Sequence, residues 1–185
     1  MAARKTTKSM TLALMRGINV GKANRLAMAD LAAAFAELGC TDVVTRGNTG
    51  NVLFRAPATV LRRLPKRVQA LLLERHGVKS PVILRSQAEL AAICRQNPFV
   101  AEGCDPGTLH VTFLAAEPER ARVAALAPER SLPDRFAVID REVYLHCPNG
   151  LARTKLSNLW FDRELATIST VRTWNVVSQL HERMG

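Results

Sequence analysis

The sequence predicts an α+β fold made of two similar βαββα-β halves, mainly antiparallel sheets with helices on one face. Short apolar runs of strand length alternate with amphipathic stretches of helical period. Turns rich in Gly, Pro and Asn separate them, and the element order begins again after residue 107.

Residues 11–16 (TLALMR) are an apolar run closed by Gly17, the pattern of a buried strand. A loop over 17–25 (GINVGKANR) leads to a helix in which Met28, Leu31, Ala32, Phe35 and Leu38 recur at helical spacing, with Gly39 at the C-terminal cap and no strong N-cap. Residues 43–46 and 51–55 are strands of a hairpin around Gly47-Asn48-Thr49-Gly50. One helix is expected over 60–75, with Leu61, Leu64, Val68, Leu71 and Leu72 inward and Arg62, Arg63, Lys66 and Arg67 outward. Residues 81–84 (PVIL) make the fourth strand, its proline at the start. The order βαββαβ is that of a ferredoxin-like unit.

Ser86-Gln87-Ala88-Glu89 is a capping box for a connector helix that Asn97-Pro98 stops. A strand over 109–115, a helix opened by Pro118, and a hairpin of 136–139 with 143–147 come next. They are succeeded by a helix over 155–165 with Leu156, Leu159 and Trp160 inward, then a short strand over 166–169. The last helix, over 171–184, sets Trp174, Val177, Leu180 and Met184 on one side and Arg172 off that arc, where packing does not require its charge. The expected organisation is a basic flexible tail (1–9), a first ferredoxin-like half (10–85), a connector helix and loop (86–107) and a second ferredoxin-like half with the C-terminal helix (108–185).

Composition narrows the function classes. The chain has 185 residues, 48% hydrophobic and 23% charged, long enough to bury roughly 70% of its unfolded surface without a staple. Cys40, Cys94, Cys104 and Cys147 are scattered, with no CxxC pair and no histidine at zinc-finger spacing, so neither a disulfide framework nor a structural metal is expected. No apolar run spans a membrane and the start lacks a secretory signal, which predicts a cytoplasmic protein with no membrane partner. The net charge of +10 is uneven: residues 1–96 hold 16 Lys and Arg against 5 Asp and Glu, residues 97–185 hold 10 against 11. Such asymmetry favours anionic partners.

Motifs add little chemistry. The loop Gly17–Gly21 is neither a dinucleotide fingerprint nor a P-loop, and it opens several residues before the helix, so no phosphate cradle at a helix terminus is implied. It offers Arg16, Asn19, Lys22, Asn24 and Arg25 around flexible backbone, a set suited to anions or amides, or simply to a solvated connection. The Arg62, Arg63, Lys66 and Arg67 stripe suits phosphates, although a solvated helix face needs the same charges and no aromatic interleaves to stack bases. His110 and His146 fall on the faces opposite Leu109, Val111, Phe113 and Val143, Leu145. With their strands adjacent, the two rings are expected to approach one another. No nucleophile elbow or HExxH is present, and no catalytic residue or cofactor is assigned.

Arg16-Gly17-Ile18-Asn19-Val20-Gly21, Met28-Ala29-Asp30-Leu31, Leu38-Gly39-Cys40-Thr41-Asp42-Val43 and Gly50-Asn51-Val52-Leu53-Phe54, then Asn97-Pro98-Phe99, Lys155-Leu156 and the 170–174 segment, form an ordered series. It resembles the uncharacterised bacterial family known as domain of unknown function 1697. The resemblance implies two ferredoxin-like halves and no particular activity, substrate or cofactor. The family's recurring polar positions fall on Arg16, Asn19, Asn24, Asn51, Lys155 and Arg172. Ala23 stands where a second glycine is common, and Thr173 where Arg-Asn-Trp is usual, which leaves the hydrogen-bonding role of position 173 open. These six donors, with almost no acidic counterparts, predict a site for a small anionic, phosphate-bearing ligand between the halves. The alternatives are a weak, sequence-independent nucleic-acid-binding module using the basic first half, and a structural interaction domain.

Overall fold

The computed structural model describes residues 9–21 and 24–185. The basic tail, apart from Ser9, and Lys22 and Ala23 lie outside the described residues. The fold divides into two compact units, one reaching to Gln87 and one over Ala88–Arg183.

The first unit runs β1 (Met10–Met15), α1 (Met28–Glu37), β2 (Thr41–Arg46), β3 (Asn51–Arg55), α2 (Ala58–Leu61), α3 (Leu64–His76) and β4 (Val82–Ser86). Its antiparallel sheet has the order β2-β3-β1-β4, the ferredoxin-like arrangement. Ala13, Met15, Val52, Phe54 and Val82 pack on one face against Leu31, Phe35, Leu64, Val68 and Leu72 of α1 and α3. Gly39, at φ 89°, ends α1 as expected. The single helix expected over 60–75 is two: Pro65 has no N–H to give residue 61 and crowds its carbonyl, so the chain breaks at Arg62–Arg63 and restarts with the proline in the first turn of α3.

The second unit runs α4 (Gln87–Gln96, its first residue belonging to the first unit), α5 (Pro98–Ala101), β5 (Leu109–Leu114), α6 (Arg120–Ala124), β6 (Arg135–Ile139), β7 (Glu142–His146), α7 (Asn158–Leu165), β8 (Ser169–Thr173) and α8 (Trp174–Met184). Its sheet order, β6-β7-β5-β8, repeats that of the first. Leu114, Val143, Leu145 and Cys147 pack against Leu156, Trp160, Phe161 and Leu165 on the helix-covered face. On the opposite face the connector meets β7, where Tyr144 Oη donates to the Ile93 carbonyl (3.1 Å) and the Phe99 ring lies against His146.

Four expectations in this half change. Pro118 precedes the helix, which starts at Arg120 after Glu119. The helix over 155–165 begins only at Asn158, where Ser157 accepts from Trp160 N (3.3 Å), and this phase turns Leu159 outward and Phe161 inward. The last strand is longer and later than 166–169: β8 takes Val171–Thr173 from the expected final helix, and Thr173 Oγ1 accepts from Val176 N (3.4 Å) as the N-cap of α8. Position 173 thus has a hydrogen-bonding role. Finally, His110 and His146 do not approach one another. Register pairs Leu109 with His146 and His110 with Leu145, so the two histidines occupy opposite faces of the sheet. All six residues of β5 are buried, so its alternation does not separate an inner face from a wet one. Among the described residues no helix is long and apolar enough to cross a membrane.

Candidate functional site

Four of the expected site residues gather at one end of the first sheet. The β1–α1 loop is held by Asn19, whose side-chain oxygen accepts from Leu26 N (2.9 Å) while Nδ2 donates to the Leu26 carbonyl (2.9 Å) and to the Asn48 carbonyl in the β2–β3 turn (2.9 Å). Asn19 and Asn24 both have positive φ, at 55° and 49°, which asparagine tolerates better than most residues. Asn24 Nδ2 reaches the Lys79 carbonyl (3.4 Å) before β4. Arg16 N donates to the Pro81 carbonyl and to Ser80 Oγ, and that hydroxyl donates back to the Arg16 carbonyl (2.8 Å). Asn51 is buried on β3, its Nδ2 donating to the Arg46 carbonyl (3.1 Å) across the turn. Three loops are therefore tied into one end by side-chain amides. Asn48 and Ser80, which complete it, were missed because a turn asparagine and a loop serine carry no distinguishing sequence signal.

Arg172 sits not at a helix start on a solvated face but on β8, 8% exposed, because the strand runs on to Thr173. Its Nη1 donates to Thr170 Oγ1 (2.9 Å) and to the Val171 carbonyl (2.8 Å), and burial pushes the guanidinium down to about 10. Across the sheet it lies opposite Val111, which lies opposite Tyr144. The first unit carries a counterpart that sequence reasoning passed over. Arg85, on β4, lies opposite Leu12, itself opposite Leu53, and its Nη1 donates to the Leu84 carbonyl (2.8 Å). Each sheet thus sets one buried arginine at the equivalent place on its outer strand, bound to the carbonyl just before it.

Lys155 lies elsewhere in the second unit, on the rim of a cleft of about 460 Å³ that does not include Arg172. Glu129, Arg130, Ser131, Asp134, Asn149 and Arg153 supply its other polar groups. Ser131 organises the wall, donating to Asp134 Oδ2 (2.8 Å) while accepting from Lys155 N (2.9 Å). Arg130 lies over the Trp160 ring, 4.8 Å from its centroid, and its Nε donates to the Lys155 carbonyl (3.2 Å). The cleft therefore offers three cations, Arg130, Arg153 and Lys155, with one of its two carboxylates already accepting a hydroxyl.

The histidines have separate surroundings. His110 is buried with Nδ1 lacking a partner, and desolvation pushes its pKa down. His146 shares its face with Arg135 and lies beside Cys104. Among the described residues no group of three or more His, Cys, Asp and Glu is arranged to hold a metal ion.

No curated protein matches the chain. Among solved structures, a conserved bacterial protein, SP0830 from Streptococcus pneumoniae, is similar over 96% of this chain and 99% of its own, at 18% identity and a TM-score of 0.71, a likeness of fold. The family model for proteins of unknown function named DUF1697 matches residues 9–144, the stretch that carries the asparagine-tied loops, the first sheet, β5, β6 and the start of β7. The chain belongs to the DUF1697 family of proteins of unknown function.

Proposed function

We propose that the protein binds a small anionic, phosphate-bearing ligand, and that Lys155, Arg130 and Arg153 hold the phosphate in the cleft of the second unit. The observation that supports this reading is the cleft itself: three cationic side chains and Asn149 line about 460 Å³, within the roughly 300–1,000 Å³ of small-molecule sites. Arg130 and Arg153 bring planar donor forks suited to phosphate oxygens, and Lys155 a mobile point charge. In this reading Asn19, Asn24 and Asn51 shape the loops of the first unit around Arg16, and Arg172 is the buried charge of the second sheet.

A thermal-shift series with nucleotides and sugar phosphates tests it. A ligand at about 100 times its Kd stabilises by roughly 2.7 kcal/mol. The shift should vanish in Lys155→Ala/Arg153→Ala and persist in Arg16→Ala. Loss of the shift in Arg16→Ala alone would move the site to the first unit, and no shift with any phosphate would sink the reading.

A second reading rests on the exposure of Arg62, Arg63, Lys66 and Arg67 around the start of α3. These suit weak, sequence-blind binding of nucleic acid through its phosphates. Titration of single-stranded RNA at two ionic strengths separates the readings, because binding by phosphate contacts alone falls steeply with salt.

A further inference from the structure

Cys104 stands in a cluster unlike that of any other cysteine in the chain. Local sequence places it there. Asn97 Oδ1 accepts from Phe99 N to start α5, and Gly103, at φ 79°, ends it by turning the chain so that Cys104 N donates to the Phe99 carbonyl (3.0 Å). The half-buried Cys104 Sγ then lies 4.0 Å from His146 Nδ1. Arg135, the cross-strand partner of His146, donates through Nη2 to the same sulfur (3.5 Å). That guanidinium also lies 3.4 Å from His146 Nδ1, donates to Glu102 Oε2 (2.7 Å) and sits 4.9 Å above the Phe99 ring. Glu102 Oε2 is 3.9 Å from the sulfur. The other cysteines are buried or half-buried, and desolvation pushes the thiols of Cys40, Cys94 and Cys147 up to about 11, which disfavours their reactive thiolates.

We propose that Cys104 is a reactive thiol that exchanges with small anionic disulfides, His146 taking its proton and Arg135 holding the thiolate and a carboxylate of the incoming molecule. The chemistry balances without another redox partner. The Cys104 proton passes to His146 Nδ1 in the tautomer that carries its hydrogen on Nε2. The thiolate attacks one sulfur of R–S–S–R, the Cys104–S–S–R bond forms as the S–S bond breaks, and RS⁻ leaves with the electron pair and takes the proton from the imidazolium. The Cys104 sulfur is oxidised and the departing sulfur reduced. Glu102 opposes the step, since its carboxylate neutralises Arg135 and faces the forming thiolate. Arg135, exposed at the start of the outer strand β6, and His146 on β7 are cross-strand partners, so the two groups are held beside the sulfur by register instead of by a flexible loop.

The experiment tracks the full-length protein by mass spectrometry after exposure to dithiobis(nitrobenzoate), a dianionic disulfide, and to neutral bis(hydroxyethyl) disulfide. Cys104 should be modified before Cys40, Cys94 and Cys147, and the dianionic reagent should show the greater preference for Cys104 over an unfolded control. Arg135→Ala should slow the dianionic reagent several-fold and abolish that preference. His146→Gln should slow both reagents, and Glu102→Gln should speed the dianionic one. Circular dichroism of each variant identifies any that fails to fold; for those, Arg135→Gln and His146→Asn replace them. Equal modification of Cys94 and Cys104, or Cys104 rates indifferent to both Arg135 and Glu102, would overturn the proposal.

Discussion

Gly50 and Gly47 bracket the β2–β3 turn, and together they measure how tightly the loop end of the first unit is packed. Both have positive φ, 75° and 64°, so an alanine at either meets the same backbone penalty, about 1–2 kcal/mol. They differ in the space open to a new methyl. At Gly47 there is nothing within 4 Å, whereas at Gly50 the added Cβ would stand 2.5 Å from Met15 Cβ and 2.7 Å from Met15 Cγ. Met15 is wholly buried, and its N–H donates to the Gly50 carbonyl (2.8 Å), so neither side can retreat without loosening the β1–β3 pairing. Overpacking of that kind costs a further ~1–3 kcal/mol. Gly47→Ala should therefore lose about 1–2 kcal/mol and Gly50→Ala about 2–5 kcal/mol. Urea denaturation with a common slope reads the difference directly. Equal losses in the two variants would refute the close approach of Gly50 to Met15.

Three further perturbations probe two buried side chains and the half-buried Asn19. His110 has a depressed folded pKa through burial, so its contribution to stability is complete above about 6.5 and is lost as pH falls below that value; the slope cannot exceed about 1.4 kcal/mol per pH unit, and His110→Gln should flatten the stability curve below about pH 6.5. Arg172→Ala should destabilise by about 3 kcal/mol, because it empties a buried site and strands the groups around it, whereas Arg172→Met should cost clearly less; equal unfolding midpoints for Arg172→Ala and wild type would show that the guanidinium is solvated after all. Asn19→Ala removes the bonds to Leu26 and Asn48 and places a poorer residue at φ 55°, so a loss of about 2–4 kcal/mol is expected in the same assay.

The legible parts of the sequence are those where a local rule acts alone. NVLFR between Gly50 and Ala56 reads as a strand and is one, β3, residue for residue, because the four-residue turn before it fixes its start. The Gly39 cap and the apolar face of α1 come from φ > 0 and helical period in the same way. The errors arise where tertiary structure chooses between two locally acceptable states. Val171-Arg172-Thr173 carries β-branched residues that suit a strand and also adjoins the helical run from Trp174, which could begin earlier through it; pairing with β5 decides for the strand, and the Thr173 hydroxyl then caps α8. Of the expected site, Arg16, Asn19, Asn24 and Asn51 come together within the first unit, and Lys155 lines a cleft of the second unit whose loop, 129–134, has no motif to mark it.

The misplacement of His110 and His146 has the same root as the missed Arg85. Alternation assigns faces only when one face is wet, and in both sheets the central strand has neither: β1 is buried from Thr11 to Met15 and β5 throughout. The pattern then marks Leu109, Val111 and Phe113 as inward and sends everything between them to solvent, when both sets are inside. The residues that betray the second buried face are polar ones that a core would not choose freely: Arg85, Asn51, Arg172 and Thr170, all less than a tenth exposed. A buried arginine costs desolvation wherever it stands, so its presence at the same position of both sheets, bound in each to the preceding carbonyl, is not a packing accident of one strand. If the shared position is a property of the repeated unit, Arg85→Met should reproduce in the first sheet the mild loss expected for Arg172→Met, and Arg85→Ala the larger one. A large loss from Arg85→Met beside a small one from Arg172→Met would show that the two arginines, alike in register and hydrogen bonding, carry different burdens.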